Sequence, residues 1–306
     1  MKRLLPLLLA LCLLLSGCGR ASEPIDQSKL QIVCTCFPAY DFARSIAGDR
    51  AQLLLLLKPG AEVHSYEPTP KDMARIQSCD LFICNGGESE EWVEELTDVQ
   101  LYTVCMMDCV KTVEESDEGI YKTEEGEEEE VELDEHVWTS PKNALLICRE
   151  IFRALCALDP AHAREYEQNL KSISAELTEI DTELTETVRN AKRDTLIFAD
   201  RFPMRYFTLE YGLSYFAAFP GCSTETEPSA KTVAFLIDKV RENDIPAVLT
   251  MEFSNEKMAD IICEDTGCKK LPFYSAHSVT AEQFEDGVTY CDLMRINLSS
   301  LKEALG

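Results

Sequence analysis

Between residues 160 and 192 apolar side chains recur at Tyr166, Leu170, Ile173, Leu177, Ile180, Leu184 and Val188, in steps of three or four. That spacing keeps one stripe of a helix turned toward a core. Asp159 ahead of Pro160 fits an N-cap followed by proline at the first helical position, and Lys192 and Arg193 place positive charge at the other end. At ~1.5 Å per residue such a helix runs roughly 50 Å, longer than a small domain is wide. It is expected to link two lobes.

On either side the pattern changes to short apolar, β-branched runs separated by helical stretches. The runs fall at 31–37, 52–57, 81–84 and 101–105 before the helix and at 195–198, 213–217, 247–251 and 270–274 after it. Parallel strands buried on both faces read this way, and they need helical crossovers between them. The predicted fold class is therefore α/β: two lobes, each a mostly parallel sheet flanked by helices, joined by one long rigid linking helix. Residues 29–158 make the first lobe, 159–193 the linking helix and 194–306 the second lobe. The carboxyl ends of two such sheets face a shared cleft, which is where open sheets bind ligands.

Residues 1–17 add a compartment to this picture. Lys2 and Arg3 precede an apolar run from Leu4 to Leu15, too short to span a bilayer, and Ser16, Gly17 and Cys18 follow. That order is an export signal, and the cysteine directly after small residues resembles a bacterial lipobox whose cysteine becomes the lipidated first residue. Residues 18–28 then read as a lipid-anchored tether, holding the protein at the outer face of the bacterial cell membrane. An ordinary secretory peptide with an incidental Cys18 is the alternative. Export permits disulfides, but of the 14 cysteines Cys34, Cys36, Cys148 and Cys156 fall at core positions and read as buried thiols, while Cys79 with Cys84 and Cys263 with Cys268 are spaced so that they could bridge locally.

The net charge of −26 argues against nucleic acid, whose phosphates need a basic surface, and suits a protein that attracts cations. Thirteen acidic residues and one lysine lie within 114–135, a segment expected to be a disordered acidic loop because its like charges repel.

Four histidines carry the candidate chemistry. His162, in the first turn of the linking helix, reads as a surface residue. His64 stands on a proline-bounded loop just past a strand, in Pro59-Gly-Ala-Glu-Val-His64-Ser-Tyr-Glu-Pro68-Thr-Pro70, and His136 stands in Asp134-Glu-His136-Val-Trp138 with Pro141, ahead of a helix expected over 143–155. Both loops are placed to aim imidazoles at one point, although spacing alone equally allows two unrelated surface histidines.

The His64 segment resembles the first metal-ligand motif of the ZnuA-like solute-binding lipoproteins that serve ATP-driven zinc and manganese importers. Further landmarks follow in the family's order: Asn85-Gly86, the His136 segment, Asp159-Pro160, Tyr211-Gly212-Leu213, Glu227-Pro228-Ser229, and Tyr290 through Met294 and Asn297 to Leu301. The resemblance covers nearly all of the mature chain. It implies a divalent metal held by two ligands from each lobe, the first two being His64 and His136. It also implies partners: an ABC-transporter membrane permease with its ATPase. The second pair departs from the family. Arg201 stands near its third histidine and cannot ligate, since a guanidinium offers no lone pair, so Asp200 is expected to stand in. His277 is expected to replace the terminal acid, and Glu252, at the same sheet edge, is the other carboxylate available. Three imidazoles and one carboxylate suit Zn²⁺, whereas Mn²⁺ favours more oxygen.

The expected function is an extracytoplasmic metal-capturing protein, not an enzyme. A metal-dependent hydrolase using the same cleft would need an open coordination position and a general base, and no HExxH pattern is present. An adhesion lipoprotein is the third reading. No GxxxxGK[ST] loop occurs, so ATP hydrolysis would belong to a partner.

Overall fold

The computed structural model describes residues 26–61, 66–96, 101–121, 132–221 and 228–306. The proposed signal peptide, Cys18 and His64 lie outside the described residues, as do 122–131 of the acidic run. The first lobe runs β1 (Leu30–Cys34), α1 (Phe37–Ala47), β2 (Ala51–Leu55), α2 (Pro70–Gln77), β3 (Leu81–Cys84), β4 (Thr103–Cys105) and α3 (Pro141–Leu158). Then comes α4 (Ala163–Arg189). The second lobe follows with β5 (Thr195–Phe202), α5 (Arg205–Tyr211), β6 (Ser214–Pro220), α6 (Ala230–Glu242), β7 (Ala247–Thr250), α7 (Lys257–Thr266), β8 (Lys269–Pro272), α8 (Ala281–Glu285) and α9 (Tyr290–Leu305).

Each apolar run expected as a strand contains or overlaps one of these eight strands. The two sheets repeat one topology, with orders β2-β1-β3-β4 and β6-β5-β7-β8 and every pair parallel. In both, the order reverses beside the first strand, and that reversal opens a crevice at the carboxyl edge. Polar caps set several helix starts: Ser140 Oγ accepts from Asn143 N, Ser229 Oγ accepts from Thr232 N, and Thr289 forms a reciprocal capping box with Asp292.

The linking helix buries the stripe read from its sequence, with Tyr166, Ile173, Leu177, Ile180 and Leu184 turned inward. It packs against α1, α3, α5 and α9, so one apolar core runs from Phe37, Phe42 and Ile151 through Leu177 to Phe198, Phe207 and Leu293. The lobes therefore share a core. The entry into the helix differs from expectation. Pro160–His162 forms a 3-10 turn and the α-helix starts at Ala163. Asp159 does not cap a backbone N–H; its carboxylate instead accepts Tyr166 OH at 2.7 Å and lies 2.6 Å from His162 Nδ1.

The acidic segment is also more structured than its charge implied. Glu114 bridges Leu133 in antiparallel fashion, and Ile120 bridges Ala217 of β6 in parallel. Gly119, at φ +82°, lets its backbone lie against Tyr215, where a Cβ would come within 2.3 Å of the carbonyl oxygen. Backbone hydrogen bonding to the edge of the second sheet offsets the repulsion among the carboxylates that the sequence alone displays.

If the shared core holds the lobes together, Leu177→Ala, at 1% exposure, should cost about 2–5 kcal/mol in urea unfolding of the metal-free chain. Glu179→Ala, on the exposed face of the same helix, should stay within roughly 0.5 kcal/mol.

Candidate metal centre

The interlobe cavity, about 160 Å³, is lined by the loops after β2, β5, β6, β7 and β8 together with His136. His136 is 1% exposed and His277 8%, and their rings lie perpendicular with centroids 5.6 Å apart. Two of the sequence-predicted ligands, one from each lobe, thus meet. Both pack on Trp138, whose ring centroid lies 5.7 Å from that of His136 and 4.7 Å from that of His277.

Local hydrogen bonds fix each imidazole. Asp134 Oδ1 accepts the backbone N–H of His136 at 2.8 Å and lies 3.3 Å from its Nδ1, so Nδ1 is the protonated nitrogen and Nε2 keeps its lone pair. Burial disfavours the imidazolium, but Asp134, followed by Glu135 and Glu115, outweighs it and lifts the His136 pKa above its ordinary value. Tyr206 of the second lobe donates to the Asp134 carbonyl at 2.8 Å.

On the other side, Glu252 accepts Ser275 N at 2.8 Å and Ser275 Oγ at 2.5 Å, and Ser275 Oγ accepts His277 N at 3.2 Å. Ala276 takes φ +62°, a left-handed conformation held by these bonds. The same loop is tied to the first lobe. Trp138 Nε1 donates to the Ser275 carbonyl at 2.8 Å, Phe37 N to the His277 carbonyl at 3.3 Å, and Gly60 N to Ser278 Oγ at 3.2 Å.

Asp200 is placed differently from expectation. Its Oδ1 accepts the neighbouring Arg201 N at 2.8 Å, and Arg201, not Asp200, lines the cavity. The cause is a register shift between Phe198 and Arg201, where β5 spends one more residue than β6. Such a bulge breaks the period-two alternation and re-aims the side chains beyond it. Glu252, the other carboxylate considered, does line the cavity. Burial raises its pKa, against the opposing Ser275 bonds. His162 is at the start of α4, paired with Asp159, away from the cleft. Among the described residues, no third His, Cys, Asp or Glu joins His136 and His277 in a group that could hold a metal ion. Gly60 and Ala61, which precede His64 within the same segment, line the cavity.

Sequence reasoning missed the supporting residues. Asp134 and Trp138 both stand in the His136 motif, and a carboxylate two residues before a candidate ligand histidine is a signal for ring orientation.

Residues 32–304 match the family described as zinc-uptake complex component A, periplasmic. The chain is 31% identical over a 309-residue alignment to zinc-binding lipoprotein AdcA of Streptococcus pneumoniae (strain ATCC BAA-255 / R6), covering 99% of this chain and 61% of that protein. It thus spans about three fifths of that relative's length. It is 30% identical to the high-affinity zinc uptake system protein ZnuA of Bacillus subtilis (strain 168), covering 96% of this chain and 94% of the relative. The crystal structure of the Zn(II)-bound ZnuA-like domain of the pneumococcal AdcA superposes with a TM-score of 0.75 at 30% identity, covering 90% of this chain and 99% of that domain.

Behind His136, Glu90 is 8% exposed and accepts Asn85 N at 2.7 Å and Gly86 N at 2.9 Å, while Asn85 Nδ2 donates to the Glu135 carbonyl at 3.0 Å. Burial pushes the Glu90 carboxyl from 4.5 up to about 7. The folded chain then holds this proton more tightly than the unfolded chain. The stability it contributes is full below about pH 4.5 and is lost as pH rises to about 7, on the order of 3 kcal/mol. Urea unfolding of the metal-free chain at pH 5 and pH 8 should show this fall, and Glu90→Gln should remove most of it.

Proposed function

The chain belongs to the zinc-uptake complex component A family, and on that premise we propose that it captures a divalent transition metal, zinc by preference and manganese as the alternative, outside the cell. The metal is its cargo. Delivery is to the membrane permease of an ABC importer, whose ATPase supplies the energy. Cys18 carries the lipid that keeps the protein at the outer face of the membrane; among the described residues, no helix is long and apolar enough to cross a membrane.

The observation that carries this reading is the buried pairing of His136 with His277 across the lobes, at 5.6 Å between rings. Nitrogen ligands drawn from two lobes favour zinc over the oxygen-seeking hard cations. His64 is proposed as the third nitrogen ligand, supported by Gly60 and Ala61 at the cavity wall just before it. Asp200 and Glu252 remain the side-chain candidates for a fourth donor, with Glu252 the one at the cavity.

Calorimetric titration of the reduced chain with zinc should give one saturable site. His277→Ala should weaken it at least about 100-fold, as expected for loss of a ligand. Asp200→Ala should change it little, because its carboxylate accepts from the adjacent backbone. A loss in Asp200→Ala matching that of His277→Ala would return the fourth position to that residue, and absence of saturable binding with either zinc or manganese would refute metal capture.

A further inference from the structure

The turn between α7 and β8 brings two cysteines together. Helix α7 ends at Gly267, whose φ of +77° turns the chain back and whose N–H donates to the Cys263 carbonyl at 2.9 Å. Such a left-handed cap folds the next residue over the helix it has just left. That residue is Cys268, and its Sγ lies 3.4 Å from that of Cys263. Cys268 N donates to Thr266 Oγ1 at 3.3 Å and Lys269 N to the Pro246 carbonyl at 2.9 Å, so β8 begins directly after the pair. Both cysteines are half-buried against the cluster of Ile245, Val248 and Ile262, within reach of solvent. The other local pair that spacing allowed is arranged differently. Cys79 Sγ donates to the Ile76 carbonyl at 3.1 Å and Cys84 Sγ to the Val104 carbonyl at 3.8 Å.

We propose that Cys263 and Cys268 are an oxidative modification site, closing to a disulfide that fastens the start of β8 to the end of α7. This rests on the placement of the chain outside the cell in the reading above, where disulfides persist, and not on its metal. A disulfide sets its sulfurs about 2.0 Å apart, so small turns of both side chains close the remaining gap. The bond has a definite load to bear. β8 stands at the end of the order β6-β5-β7-β8, paired with β7 over Lys269–Pro272, and an end strand has a neighbour on one side only. It runs on into the loop of Ser275 and His277, so what steadies its start also steadies the approach to the cleft. The oxidant is a low-molecular-weight disulfide. One protein thiolate attacks it and releases a first thiol, and the second cysteine then displaces the other half. The Cys263–Cys268 bond forms as the oxidant's S–S bond breaks, and the two protons and two electrons leave on the two released thiols.

The test starts from the full chain, reduced, freed of metal with a chelator and exposed to oxidised glutathione. Burial, followed by the Cys268 contact, raises the Cys263 pKa, so the exchange is run at mildly alkaline pH. Remaining thiols are then alkylated under denaturing conditions and the chain is cut with a protease specific for glutamate. Glu264 lies between the two cysteines, so a disulfide should appear in mass spectrometry as peptide 257–264 joined to peptide 265–282. Reduction should part them. Recovery of both cysteines alkylated, each carrying glutathione, or joined to other cysteines of the chain overturns the proposal. Hydrogen exchange tests the fastening. Amides of 269–273 should exchange about threefold more slowly in the oxidised chain than in the reduced one, and the oxidant should not change them in Cys268→Ser. Equal exchange in the oxidised and reduced native chain overturns the role given to the bond. Metal capture is judged separately, by the zinc titration of the reduced chain.

Discussion

Trp138 is the fixture on which the two lobes are hung. Its indole N–H holds the Ser275 carbonyl, its own carbonyl accepts Tyr290 OH at 2.7 Å, and its ring supports both His136 and His277. Tyr290 in turn donates its backbone N–H to Asp41 Oδ2 at 2.8 Å and packs edge-on against Phe42. Every partner in this set is buried, so losing one would strand a polar group where water cannot replace it. The loops that carry His136 and His277 are thereby held by hydrogen bonds within the protein, so binding at the proposed site would not have to draw on metal–ligand energy to order these two.

A shared core carries the same logic to larger scale. The linking helix packs on elements of both lobes, and α9 returns from the end of the second lobe to lie against it. A two-lobed protein with separate cores would close by hinge motion. One continuous core resists that, so the proposed cargo would meet a formed pocket. The acidic segment extends the arrangement outward, crossing from the first lobe to pair with the edge of β6 at Ala217.

Much of this was legible in the sequence because it depended on periodicity. The strand runs and the buried stripe of α4 follow from spacing alone, whereas His136 and His277 are singled out by the scarcity of histidines together with the resemblance to the ZnuA-like motifs. The residues that were misplaced depend on features without a periodic signature. A one-residue bulge in β5 brought Arg201 to the cavity in place of Asp200. The Asp159 carboxylate pairs with His162 and Tyr166, about one and two turns on, in place of a backbone N–H, and the helix start is left to a 3-10 turn. The flanks of the acidic segment were ordered by a sheet edge more than eighty residues downstream, which charge counting along the chain cannot reveal.

The central claim is that one metal is held between the lobes by His136 and His277 together. Anomalous diffraction at the zinc edge from crystals of the zinc-loaded chain addresses it directly. The account predicts a single dominant peak within about 2.1 Å of a ring nitrogen of both His136 and His277. A peak ligated from one lobe only, or seated on the acidic segment with the two imidazoles still packed against Trp138, would contradict it.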